Sequence, residues 1–158
     1  MSVERVQPEN AEGPHLLLYD GVCGLCNRLV QFVLRWDHRR LFEFAALQSG
    51  FGREVLERFG HDPSDLKTLF VVADHRGGEA RVFTKARAVL FVMESLGFPL
   101  RAFCVLGALP TRLLDFAYDL VARSRYRVFG RRDSCLVPPP EVRARFLDSP
   151  GAEERRSP

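Results

Sequence analysis

The chain has 158 residues, of which 46% are hydrophobic and 27% are charged, so its length suits one domain and its composition argues against disorder, collagen and coiled coil. Four cysteines are too few for a fold built on disulfides. The net charge of +3 is far from that of a dedicated nucleic-acid binder. We therefore expect a single folded domain over residues 14–148, with disordered tails at residues 1–13 and 149–158.

The first strand is predicted at His15–Tyr19, a short apolar run that ends at a turn. Apolar residues at helical spacing then predict a helix from Leu25 to about His38. Alternation predicts a second strand at Leu41–Ala45. Residues 49–54 then precede a second helix, which runs through Val55, Leu56 and Phe59 and ends at Gly60. The chain therefore begins with a strand, helix, strand, helix order.

The next predicted elements are a strand at Thr68–Ala73 and another at Glu79–Thr84, which form a hairpin around a glycine-containing turn. Residues 85–123 have a helical pattern interrupted by glycines and prolines, and a last short helix is predicted at Pro140–Leu147. This order predicts an α/β, thioredoxin-like fold: a central mixed sheet of about four strands, flanking helices and an extra C-terminal helical segment. The apolar run Leu100–Leu114 is expected to cover the sheet as part of the core, and a partner interface is the alternative.

A pair of cysteines, Cys23 and Cys26, stands directly after the first strand and opens the first helix. A thiolate is stabilised at a helix N-terminus by unpaired N–H groups and the positive end of the helix dipole. The three-residue spacing places both sulfurs on one face, where they can form a disulfide. The pattern predicts Cys23 as an exposed attacking thiolate and Cys26 as a sheltered resolving thiol.

Zinc binding is the main alternative, because half of a zinc site has the same spacing. The sequence contains no second CxxC and no closely spaced histidine pair. Redox chemistry is therefore favoured, and neither a metal nor an organic cofactor is expected.

Asp20, at the end of the first strand, is the third candidate catalytic residue. Its carboxylate could cap the helix or act as a general base toward the resolving thiol. The sequence leaves both roles open.

The segment from Tyr19 to Asn27, YDGVCGLCN, resembles the signature of the DCC-motif thiol-disulfide oxidoreductase family. The likeness covers roughly residues 15–147 and continues through Leu47-Gln48-Ser49, Tyr118, the segment 122–126 and Cys135. The resemblance implies a thioredoxin-like fold and exchange of disulfides through Cys23 and Cys26. Two features depart from thioredoxins: no proline directly precedes the third strand, and Gly24-Leu25 replaces Gly-Pro between the cysteines. The direction of exchange therefore stays open.

The other two cysteines receive different predictions. Cys104 lies in an apolar helical stretch and is expected to be a small buried hydrophobe. Cys135 follows an arginine-rich loop and is either an ordinary loop cysteine or a third redox thiol.

A basic segment interleaved with aromatic residues covers residues 123–132. It is interpreted first as a solvated helix end. The alternatives are a nucleic-acid contact, which is disfavoured, or arginines beside the dithiol that lower a thiol pKa or hold an acidic thiol such as glutathione. Arg125 and Tyr126 are accordingly accessory site candidates.

The predicted function is thiol-disulfide exchange with a protein or small-molecule substrate, supported by glutathione or a thioredoxin-type electron donor. The alternative is a metal- or partner-binding module without redox turnover. A cytoplasmic location without a membrane span is expected, because no secretory signal and no long apolar run is visible. The substrate, electron donor and oligomeric state do not follow from the sequence.

Overall fold

A computed structural model describes residues 14–132 and 137–149 of the chain. Within these ranges four strands form one mixed sheet in the order β2-β1-β3-β4, with bounds β1 His15–Tyr19, β2 Phe42–Ala46, β3 Phe70–Ala73 and β4 Arg81–Thr84. β1 is parallel to β2 and antiparallel to β3, and β3 is antiparallel to β4. The thioredoxin-like α/β fold is thus confirmed, and β1 lies in the middle of the sheet.

In the part of the chain that the structure describes, four α-helices flank this sheet: α1 Gly24–Trp36, α2 Gly50–Arg58, α3 Lys85–Leu96 and α4 Thr111–Phe129. A 3-10 helix, Leu100–Ala108, connects α3 to α4, and a 3-10 turn follows at Arg143–Arg145. Within the described residues, no helix is both long and apolar enough to cross a membrane.

The core has two layers, because side chains of β1 alternate between the two faces of the sheet. Leu17 and Tyr19 pack with buried residues of α1 and α3. Leu16 and Leu18 face the opposite side, where Leu56 of α2 covers them. This central strand is buried along its whole length, so it gives a rigid support to the segment that follows it.

The last predicted helix, over residues 140–147, is wrong: only the 3-10 turn Arg143–Arg145 forms there. Tertiary contacts hold this segment instead of helical hydrogen bonds. Arg145 pairs with the buried Asp37 carboxylate, and the Leu147 N–H donates to the Phe44 carbonyl at 2.9 Å. The helical pattern before it also extends further than predicted, because α4 continues to Phe129.

The core position predicted for residues 100–114 is also wrong. Leu100 is buried, but most of the large apolar side chains in this run are exposed: Phe103, Val105, Leu106, Leu109 and Leu113. Cys104, expected in the core, is only partly buried, and its thiol lies 3.8 Å from the Leu90 carbonyl of α3. The physical reason is that the 3-10 helix packs on α3 with one side only.

Candidate active site

The junction between β1 and α1 positions the two cysteines. The Cys23 N–H donates to the Asp20 carbonyl at 3.2 Å, which forms a turn directly after the strand. Cys23 is the N-cap residue of α1, and Cys26 lies in the first turn of that helix. The sequence prediction of a dithiol at a helix N-terminus is therefore confirmed.

The two thiols have opposite pKa shifts. The pKa of Cys23 is lowered to about 6, chiefly because the Cys26 thiol donates a hydrogen bond to its sulfur and also through the charge of Arg125. The pKa of Cys26 is raised, because its proton is held in this hydrogen bond and its sulfur is buried. Cys23 is thus the thiol that ionises first, and Cys26 keeps its proton.

The expected exposure of Cys23 is wrong. Its side chain is 0% exposed and that of Cys26 is 8% exposed. Other parts of the chain therefore shield both thiols from solvent.

A short segment after α4, Gly130–Arg132, pairs with the backbone on either side of Cys23, and we call it the strap. The Arg132 N–H donates to the Val22 carbonyl at 2.7 Å, and the Gly24 N–H donates to the Gly130 carbonyl at 3.2 Å. These two bonds place Arg131 opposite Cys23 as an isolated antiparallel bridge. The contact needs glycine at position 24, because a Cβ there would lie 2.2 Å from the Phe129 carbonyl oxygen.

Asp20 is buried beneath the dithiol and accepts four hydrogen bonds. Its Oδ1 accepts from the Val22 N–H at 3.1 Å and from Gln48 Nε2 at 2.6 Å. Its Oδ2 accepts from Arg125 at 3.1 Å and from the Tyr126 hydroxyl. The carboxylate therefore does not cap α1, which begins without a side-chain cap.

Arg125 connects this carboxylate to the second thiol. Its side chain reaches inward from α4 and the residue is only 3% exposed. One guanidinium nitrogen lies 3.6 Å from the Cys26 sulfur, and the other contacts Asp20 and the Leu66 carbonyl, the latter at 2.7 Å. A buried cation thus directly contacts the Cys26 thiol.

The same helix holds the segment that precedes β3, where the thioredoxin proline is missing. The Leu69 N–H donates to the Tyr118 hydroxyl at 2.8 Å, next to the bond between Leu66 and Arg125. Burial raises the pKa of Tyr118 to about 12, so this hydroxyl stays protonated at neutral pH. Side chains of α4 therefore support the loop beside the dithiol.

The structure brings together five of the predicted site residues: Asp20, Cys23, Cys26, Arg125 and Tyr126. Arg123 and Arg127 point to solvent. Cys135, the possible third thiol, lies outside the described residues.

Gln48 is part of the site although the sequence predicts no role for it. Its amide bridges Asp20 and the Gly21 N–H. Neither it nor the Leu66 carbonyl carries a local motif that would identify it as part of a site. Their contribution follows from long-range contacts alone.

Among residues 14–132 and 137–149, no three His, Cys, Asp or Glu side chains are grouped so that they could hold a metal ion.

Comparison with known proteins gives one family. The model of the DCC1-like thiol-disulfide oxidoreductase family matches residues 17–131. The Bacillus subtilis protein YuxK, described as uncharacterized, is 37% identical over 132 residues, which cover 84% of this chain and 93% of YuxK. A chloroplastic DCC family protein of Arabidopsis thaliana is 42% identical over 122 residues, 76% of this chain and 67% of the plant protein. No solved structure gives a significant match.

Proposed function

The chain belongs to the DCC1-like thiol-disulfide oxidoreductase family, and on that premise we propose that it exchanges disulfides through Cys23 and Cys26. The observation that carries the proposal is the split between the two thiols. The pKa of Cys23 is lowered to about 6 and that of Cys26 is raised. One thiol is thus a nucleophile at neutral pH while its neighbour stays protonated in reserve.

In the first step the Cys23 thiolate attacks one sulfur of a substrate disulfide. A bond forms between Cys23 and that sulfur, the substrate S–S bond breaks, and the other substrate sulfur leaves as a thiolate. Negative charge moves from Cys23 to the leaving group. The Cys23 sulfur, which the helix N-terminus had stabilised as a thiolate, thereby becomes neutral. A mixed disulfide then links Cys23 to the substrate.

In the second step Cys26 attacks the Cys23 sulfur. The Cys26 proton passes to the departing substrate thiolate, which leaves as a thiol, and an internal disulfide remains. The substrate has gained two electrons and the dithiol has lost two. Arg125 contacts the Cys26 sulfur at 3.6 Å and stabilises the negative charge that develops there.

Asp20 acts in this mechanism through Arg125. Its carboxylate accepts a hydrogen bond at 3.1 Å from the guanidinium nitrogen that does not contact the sulfur, and the carboxylate is itself held by Tyr126. Asp20 is therefore proposed as a positioning residue for the cation that touches Cys26, in place of the general base considered from the sequence.

Access to Cys23 requires the strap to move, because the sulfur has no exposed surface. Two backbone hydrogen bonds hold the strap, those of Arg132 to Val22 and of Gly24 to Gly130. Their combined net free energy is on the order of 2 kcal/mol, so the strap can open transiently at room temperature. We propose that substrate binds to this open form.

The proposed substrate is a disulfide in a protein or small molecule. A thiol donor such as glutathione or a thioredoxin-type protein would return the internal disulfide to the dithiol, since the cycle needs two electrons from outside. A cytoplasmic location remains part of this proposal.

The proposal is tested by reduction of insulin disulfides with dithiothreitol as electron donor. Cys23→Ser should abolish the acceleration, and Cys26→Ser should trap a mixed disulfide that mass spectrometry detects on Cys23. Cys104→Ser is the matched control, because this thiol lies on the connecting 3-10 helix, outside the network. Equal rates for the wild type and Cys23→Ser would reject the redox function and favour a binding module.

A further inference from the structure

α4 has an outward face whose side chains contact no other part of the described chain closely enough to be covered. We call it the outer face; it consists of Arg112, Leu113, Phe116, Leu120, Arg123 and Arg127. Their spacing of three, four, seven and eleven residues places these side chains along one side of the helix. The opposite side carries Tyr118 and Arg125, which belong to the active site.

The outer face exposes several large apolar side chains, and their exposure to water is unfavourable. Phe116 is 67% exposed and Leu120 is 60% exposed, and Leu113 is exposed one turn before them. Leu109 and Leu106 extend the exposed apolar run along the chain before the helix. A contiguous exposed apolar patch of this kind marks an interaction surface.

The charges on the outer face all have one sign. Arg112 lies four residues before Phe116, and Arg123 lies three residues after Leu120. Arginines therefore stand at both ends of the apolar stripe, by which we mean Leu113, Phe116 and Leu120. The acidic residue nearest to the stripe, Asp119, turns sideways to Lys85 of α3, where the ion pair measures 3.1 Å. The outer face therefore presents apolar side chains that are flanked by positive charges.

We infer that the outer face binds the surface of an anionic lipid bilayer. Phe116, Leu113 and Leu120 would enter the boundary between headgroups and acyl chains, and the arginines would pair with lipid phosphates. A second copy of the chain complements this face less well, because a two-fold interface would bring the same arginine frame against itself. The outer face carries only positive charges, so it is complementary to the flat, negatively charged surface of an anionic bilayer.

In this arrangement α4 lies parallel to the membrane. Its inner face then points away from the lipid, toward α1 and the dithiol. The dithiol would sit about one helix diameter, roughly 10 Å, above the headgroups, so membrane-attached disulfides come within its reach. The binding itself does not depend on the redox function.

The test is co-sedimentation of the full chain with vesicles of phosphatidylcholine and phosphatidylglycerol, against vesicles of phosphatidylcholine alone. The wild type should bind the anionic vesicles and release as salt rises. The double variant Phe116→Ser/Leu120→Ser should bind at least about tenfold more weakly, because it loses two buried apolar side chains. Arg112→Gln/Arg123→Gln should lose about fivefold for each arginine.

The matched control is Arg35→Gln/Arg53→Gln, which removes two exposed arginines from other helices and should bind vesicles like the wild type. Circular dichroism melting and the insulin assay should be unchanged in the outer-face variants, which separates this inference from the redox proposal. Equal binding to both kinds of vesicle, or none to either, overturns it. So does a wild-type dimer in light scattering that the double serine variant dissociates, since the second copy would then be the occupant.

Discussion

The two sides of α4 have the same kinds of residues and opposite surroundings. On the inner side, Arg125 is buried and Tyr118 is partly buried, and both make hydrogen bonds to specific partners. On the outer side, Arg127 and Phe116 are exposed. The comparison teaches that a residue type in this helix does not define its role; the element packed against it does.

The largest expected effect compares two arginines that are two residues apart. Arg125→Met should lower the free energy of unfolding by about 3–5 kcal/mol, because it leaves Asp20 buried without its cation. Arg127→Met should change it by less than about 0.5 kcal/mol, since that side chain is exposed. Urea denaturation of both reduced variants measures the difference. Similar values for the two would show that the inner side is not a buried network.

The next test concerns the thiol that Arg125 and Cys26 activate. The rate of Cys23 alkylation by iodoacetamide should rise with pH through a midpoint at about 6 and reach a plateau well above that midpoint. Cys26→Ala removes the hydrogen bond that is the main cause of this low pKa, so the midpoint should move upward toward the ordinary value of 9.0. A midpoint that stays near 6 in the variant would assign the shift to other groups.

This pKa also predicts how stability varies with pH. Because the pKa of Cys23 is lower in the folded protein than in the unfolded chain, its contribution is complete above about pH 9 and is lost as pH falls through about 6. The difference in unfolding free energy between the wild type and Cys23→Ser should therefore grow from pH 6 to pH 9. Urea denaturation under reducing conditions checks the sign, and a difference that shrinks over this range would contradict the assigned direction.

A smaller effect is expected from two hydroxyl groups of α4. Tyr126→Phe removes the donor to Asp20 and should cost about 1–2 kcal/mol of stability. Ser124→Ala removes a hydroxyl that bonds only to carbonyls of its own helix, at 3.1 and 3.2 Å, and should be nearly neutral. Thermal unfolding of the pair measures this contrast. A larger loss for Ser124→Ala would reverse the assignment of inner and outer sides.

The smallest effect is expected at the strap, where α4 ends. Arg132→Pro removes the N–H that donates to Val22, while Arg132→Ala keeps it and removes only the side chain. Loss of one hydrogen bond of about 1 kcal/mol should raise the population of the open strap about fivefold. Cys23 alkylation at pH 8 should accelerate accordingly in Arg132→Pro and stay at the wild-type rate in Arg132→Ala. Equal rates in the two variants would show that the strap does not limit access.

Much of the fold was predictable because its signals are local. The bounds of β1 agree with the sequence prediction, and α1 begins one residue before the predicted position. The order of strands, helices and hairpin predicted the mixed sheet, since turns and apolar periodicity depend on residues that are close together in the chain. The final helix failed because contacts with β2 and Asp37, distant in the chain, hold that segment.

The site was predictable only in part. The CxxC spacing after a strand located both cysteines, but it could not show that a segment about a hundred residues later would cover Cys23. The apolar run Leu100–Leu114 gave the same pattern that a core segment gives. Periodicity shows which residues share a side and contains no information on what packs against that side.

The sequence by itself determined the helix N-terminus with its two thiols, because the turn, the cysteines and the helical pattern lie within a few residues of one another. Only the tertiary structure selected Arg125 from five nearby arginines as the cation on Cys26, and only it closed the strap over Cys23. Both outcomes depend on how α4 packs against α1. That packing is decided by side chains from distant parts of the chain, so no local stretch of sequence encodes it.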